Sequence, residues 1–145
     1  MAKDLCANII YFYLNTDIDR FEYMKIKANI IPEEIMSQYN LAPLVNDGWV
    51  YIGITKGMHG LPHAGLLVNV KLTKHLAKYG SHPTKYTPRL WTHESRPIAF
   101  TLIVDDFLIK YSTKADADHL LSASKDQYII SEDWEAHIYC GFTLD

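Results

Sequence analysis

Cysteine is nearly missing from the 145 residues: Cys6 and Cys140 stand at opposite ends of the chain. With no Cys-x-x-Cys spacing there is no zinc framework, and the expectation is two free, buried thiols in a reducing compartment. Long hydrophobic runs are missing as well, none reaching the roughly 20 residues that span a bilayer. The opening Met1, Ala2, Lys3 and Asp4 carry no apolar signal-peptide region. The expectation is a soluble intracellular chain, cytoplasmic or nuclear, with no membrane partner. An excess of positive charge is also lacking: 14 Lys and Arg stand against 17 Asp and Glu, a formal net charge of -3. Composition therefore gives no electrostatic footprint for nucleic acid, although net charge averages over faces and leaves room for a locally basic groove. Repeats and low-complexity segments do not occur.

What is present is apolar content, 48% of residues, enough for one globular core but at this length not for a second domain. Gly and Pro fall as punctuation between short periodic stretches, which predicts an α+β domain over residues 1–145. Cys6 to Leu14 reads as a buried strand and Phe21 to Ile26 as a second. Pro32 introduces a short helix over Glu33 to Tyr39, and Trp49 to Ile54 alternates as a strand. From Pro62, Leu67, Val68, Leu72, Leu76 and Tyr79 recur at helical spacing until Gly80 ends the pattern. Pro97 precedes an apolar run to Tyr111 that predicts a tight hairpin of two central strands. Ala115 to Gln127 reads as another helix, and Tyr128 to Leu144 as two closing strands. The expected architecture is an antiparallel sheet with this hairpin, packed against two helices.

Ile98 to Ile109 reads Ile-Ala-Phe-Thr-Leu-Ile-Val-Asp-Asp-Phe-Leu-Ile, so Asp105 and Asp106 interrupt a nearly unbroken hydrophobic stretch. Unpaired buried charge is costly, so such groups are paired, exposed or used to hold metal ions, and hard cations such as magnesium want carboxylate oxygens. The plain alternative is a pair of exposed turn residues. Asp-Asp is a mediocre choice for a purely structural two-residue turn, where Asn-Gly or Asp-Gly supplies the positive φ.

Phe-Thr-Leu-Ile-Val-Asp-Asp-Phe resembles the aromatic-x-Asp-Asp hairpin of reverse transcriptases, with Ile103 where the aromatic is usual. Upstream, Phe12-Tyr13-Leu14-Asn15 and Lys56-Gly57-Met58-His59-Gly60-Leu61-Pro62-His63-Ala64-Gly65 resemble the copia-type sequences that precede that hairpin. Downstream, Tyr139-Cys140-Gly141-Phe142-Thr143-Leu144 resembles the segment that follows it and helps grip the primer. The resemblance spans essentially the whole chain and implies the palm of a retrotransposon RNA-directed DNA polymerase. Its partners would be an RNA template, a DNA primer and deoxynucleoside triphosphates.

In that family two magnesium ions activate the primer 3′ hydroxyl and stabilise the leaving pyrophosphate. The resemblance gives Asp105 the role of metal ligand and Asp106 that of a nearby supporting carboxylate. The other essential aspartate falls at position 8, which is Asn8 here. An amide carbonyl brings no negative charge and cannot bridge two cations as a carboxylate does, so the resemblance implies a nucleotidyltransferase site that has lost its second metal. A polar strand residue satisfied by hydrogen bonds is the other reading of Asn8. Tyr13 matches the aromatic under the incoming sugar, against the alternative of a core aromatic. His63 stands where the family has Gln beside the nucleotide, with Gly60 and Gly65 allowing close backbone approach.

The fingers that precede the first catalytic strand, the thumb and the RNase H region lie outside the matched stretch, so a truncated, degenerate palm that cannot polymerise alone is expected. Gly-Leu-Pro between His59 and His63 argues against a metal-binding histidine pair on one helix face. Lys71, Lys74, His75 and Lys78 read as a solvated, weakly basic helix face. Two rival readings remain: a non-catalytic nucleic-acid-binding or assembly module derived from a palm, and an unrelated α+β scaffold with an incidental Asp-Asp turn.

Overall fold

The computed structural model describes residues 2–58, 60–61 and 63–144. His59 and Pro62, which belong to the expected helix entry and histidine pair, lie outside the described residues. Along the chain run β1 (Lys3–Ile10), β2 (Asp17–Lys27), α1 (Glu33–Gln38), β3 (Trp49–Lys56), α2 (Ala64–Ala77), β4 (Ser81–Pro83), β5 (Leu90–His93) and β6 (Ile98–Ile103). They are followed by β7 (Asp106–Tyr111), α3 (Lys114–Lys125), β8 (Ile129–Asp133), β9 (Ile138–Tyr139) and β10 (Phe142–Thr143). The class is α+β. A six-stranded antiparallel sheet in the order β4-β5-β6-β7-β1-β8 forms the centre, with β2-β3 and β9-β10 as separate two-stranded ribbons.

Strand alternation divides the large sheet into two faces. Leu5, Ala7 and Ile9 of β1, Ile98, Phe100 and Leu102 of β6, and Phe107, Ile109 and Tyr111 of β7 are all buried on one of them. Register keeps them together, since Leu5 and Phe100 both pair with Ile109, and Ala7 and Leu102 both with Phe107. Against this face lie Val68, Leu72 and Leu76 of α2 and Ala117, Leu120 and Leu121 of α3. The expected apolar stripe of α2 is therefore the packed one, with Leu67 half-buried at its margin. Each large apolar side chain so buried contributes about 1.5–3 kcal/mol. At the start of α3, the Thr113 hydroxyl accepts from Asp116 N while the Asp116 carboxylate accepts from Thr113 N, a capping box that satisfies otherwise orphaned donors.

Several expectations need correction. β1 stops at Ile10, and Tyr11 adopts φ 56, which turns the chain, so Tyr13 sits in a turn rather than on a strand. β4 and β5 extend the sheet where no strand was expected. Three short strands, not two, follow α3. His75 is not on a solvated basic face: it is 4% exposed, and its Nε2 lies 2.6 Å from the carbonyl of Ala123, tying α2 to α3.

Candidate functional site

On the sheet face turned away from the helices, Asn8 and Asp106 lie directly opposite each other on neighbouring central strands. Asn8 Nδ2 donates to Asp106 Oδ1 at 2.8 Å. An ionised carboxylate only accepts, so the amide must present its NH2 group to it. Asn8 is therefore a strand residue satisfied by a hydrogen bond, and the carboxylate it holds is Asp106 rather than Asp105.

The hairpin accounts for that choice. β6 ends at Ile103, which pairs with Asp106, so the two loop residues are Val104 and Asp105, one position earlier than an Asp-Asp turn. Val104 has φ 57, a left-handed conformation that a β-branched residue adopts at a cost of about 1–2 kcal/mol. Asp106 is already on the strand, where alternation aims it at the open face. Asp105 caps the turn, and its carbonyl accepts from Ile9 N at 2.9 Å. Asp105 lines a cavity of about 410 Å³ with Tyr11, Phe12, Tyr13, Leu14 and Met58. Asp106 lines another, about 230 Å³, with Cys6, Asn8, Ser131, Asp133 and Tyr139. The two aspartates thus line different cavities, although both carboxylates raise the pKa of the Cys140 thiol.

The β9-β10 ribbon brings further groups to Asp106. Tyr139 hydroxyl and Thr101 Oγ1 are 2.8 Å apart, fixing Tyr139 to the open face. Cys140, in the ribbon turn at φ 50, lies beside Asp106; burial pushes its thiol pKa up, and the Asp106 carboxylate adds to the effect. Burial also raises the Cys6 thiol, with Asp133 and Asp106 contributing. Both thiols are thereby kept protonated and poorly nucleophilic. The resemblance already placed Asn8, Asp106 and the Tyr139–Cys140 segment near one another; sequence separation hid the part that Cys6 and Asp133 play, signalled only by Cys6 and Asn8 sharing a face two residues apart.

His63 sits elsewhere, exposed at the start of α2, lining a cavity of about 240 Å³ with Ile18, Asp19, Arg20 and Glu22. Of the expected site residues, then, Asn8 meets Asp106, Asp105 meets Tyr13, and His63 meets neither pair. Gly60 has φ +88, which glycine accommodates freely, but a side chain at Gly65 would meet open space. The close backbone approach is at Gly57, where a Cβ would fall 2.7 Å from the carbonyl oxygen of Tyr13.

Magnesium needs several converging acceptor oxygens. Here Asn8 offers a donor, Asp106 already accepts it, and Asp105 faces a different cavity. Among the described residues no group of three or more His, Cys, Asp and Glu side chains is placed to hold a metal ion. This donor set does not fit a two-magnesium centre. Nor is any helix among the described residues long and apolar enough to cross a membrane. No family model, no curated protein and no solved structure matches the chain.

Proposed function

We propose that the chain is the palm region of a copia-type retrotransposon reverse transcriptase whose polymerising centre is disabled at Asn8. The observation that carries the reading is the meeting of Asn8 with Asp106, the supporting carboxylate of the motif, at 2.8 Å on adjacent strands beside the hairpin tip; the motif's metal ligand Asp105, expected to converge with Asn8, stands next to it in the turn. The placement of Tyr139 and Cys140 against the same carboxylate supports it further, because the resemblance gives that segment a role next to the primer end. In this reading the amide closes the site by hydrogen bonding, and the fold persists without the chemistry.

Primer extension on an RNA template, with deoxynucleoside triphosphates and magnesium, tests it. The unmodified chain gives no product. Asn8→Asp tightens magnesium binding measured by calorimetry, while extension stays weak because positioning of primer, template and triphosphate supplies a large share of rate enhancement. Robust extension by the unmodified chain, or magnesium binding indifferent to Asn8→Asp, refutes the reading.

A second reading, a palm-derived module that binds nucleic acid without catalysis, is favoured by the donor mismatch itself. It differs in requiring nucleic-acid affinity with or without magnesium.

A further inference from the structure

The β2-β3 ribbon inverts the usual arrangement in which an exposed strand face is polar. Residues directly paired across antiparallel strands share a face. Met24 with Ile52 and Ile26 with Val50 make one face, which is buried at Val50, 1% exposed, half-buried at Ile26 and Ile52, and open at Met24. The outward face pairs Tyr23 with Gly53, Lys25 with Tyr51 and Lys27 with Trp49. Tyr23 is 73% and Tyr51 60% exposed. Aromatic area of this extent left in water, rimmed by polar residues, marks a contact surface.

The lysines say what kind of contact. Lys25 Nζ lies 4.4 Å from the Trp49 ring centre and 5.7 Å from that of Tyr51, and Lys27 Nζ lies 5.6 Å from Trp49. Such cation–π contacts are weak at exposed sites, so the ammonium readily leaves the ring to pair with an anion, and its departure frees the ring face. The carboxylates of the two strands are directed elsewhere: Asp17 is bonded to Lys56, Asp19 lines the His63 cavity, and Glu22 pairs with Ile54. A chain with net charge -3 thus presents one face that is aromatic and cationic. Gly53 keeps it flat, with the Tyr23 ring 3.7 Å from where a Cβ would stand.

We propose that this face is a stacking platform for single-stranded nucleic acid, Tyr23, Tyr51 and Trp49 taking unpaired bases and Lys25 and Lys27 the phosphates. Sheet platforms of this kind hold about two or three bases, and the stacking tolerates any sequence because every base has a π-face. A duplex hides those faces and fits poorly. The platform involves neither Asn8 nor Asp106, so it stands or falls separately from the polymerase reading.

The test is fluorescence anisotropy with labelled oligothymidylate, oligouridylate and a duplex, using the full chain without magnesium. Single strands bind more tightly than duplex, and log affinity falls against log salt with a slope of about -1.4 for two neutralised phosphates. Tyr51→Ala and Tyr23→Ala each weaken binding roughly tenfold. Tyr51→Phe keeps it, and Tyr86→Ala, at an exposed tyrosine outside the ribbon, leaves it unchanged. Because both tyrosines are exposed, circular dichroism and melting confirm that the variants fold. Absence of binding, equal affinity for duplex, or affinity unaffected by Tyr51→Ala overturns the proposal. So does the finding that the face mediates self-association instead, read as a concentration-dependent dimer that Tyr51→Ala abolishes.

Discussion

Replacing Asn8 by aspartate puts a second carboxylate where an amide now donates to Asp106 at 2.8 Å. Two effects add. A hydrogen bond to a charged group, worth about 1.5–3 kcal/mol, disappears. Two like charges relaxed to about 4 Å apart repel by up to about 4 kcal/mol at an effective dielectric constant near 20, and partial exposure of the cavity cuts this roughly by half. The expected loss at pH 8 is about 3.5–5 kcal/mol, on the order of 10–15 °C in melting temperature for a domain of this length. The sign with pH follows from linkage. Repulsion raises the folded-state pKa of the new pair, so the folded variant holds more protons than the unfolded one, and its stability declines as pH rises through that range. The variant should therefore recover part of its loss at pH 5. Magnesium binding only the folded state returns about 1.4 kcal/mol at ten times its dissociation constant and 2.7 at a hundred times. Urea unfolding at pH 5 and 8, with and without magnesium chloride, measures all of this. A variant as stable as the parent at pH 8 refutes the assigned contact; a magnesium-insensitive one refutes the metal position.

Val104→Gly should be neutral to stabilising by up to about 1 kcal/mol in chemical unfolding, because relief of the φ 57 strain outweighs glycine entropy at a half-exposed turn. His75→Ala should cost about 2–4 kcal/mol by the same measurement, since it opens a cavity and strands the Ala123 carbonyl. Gly57→Ala should lower the melting temperature, because backbone at Tyr13 would have to move. The Thr113 hydroxyl, and then Arg96, hold the Asp116 carboxyl below its usual range; the resulting stability is present at neutral pH and lost below about pH 4, so Asp116→Asn should flatten the acid limb of the unfolding curve.

Much of this arrangement is legible in the sequence because it rests on period. Val68, Leu72 and Leu76 mark a helix stripe, and Phe100 and Phe107 alternate into the core on either side of a turn, whatever lies around them. His75 carried the same signal, three residues after Leu72 and seven after Val68, yet residue type argued for the surface and position prevailed. β4 and β5 escaped because three- and four-residue strands have no measurable period. Which aspartate meets Asn8 depends on a one-residue shift of the turn, set by the register of Ile103 with Asp106, and a single-residue shift exchanges the faces of a strand. The exposure of Tyr23 and Tyr51 was beyond sequence reading, since alternation tells which residues share a face but not which face meets water.

The place of β1 in the strand order governs how this chain reaches its fold. β1 is an interior strand made before both of its partners, hydrogen-bonded on one side to β7 and on the other to β8, and the Asn8–Asp106 contact spans 98 positions. During synthesis at about 5–20 residues per second, Leu5, Ala7 and Ile9 must wait on the order of 5–20 seconds with both edges unpaired before their partners emerge. Contacts this distant in sequence make folding slow, and an unpaired apolar strand is the natural template for association with another chain. A cell that makes this protein would meet its nascent form as a client for chaperones, with aggregation decided by how soon residues 106–133 arrive.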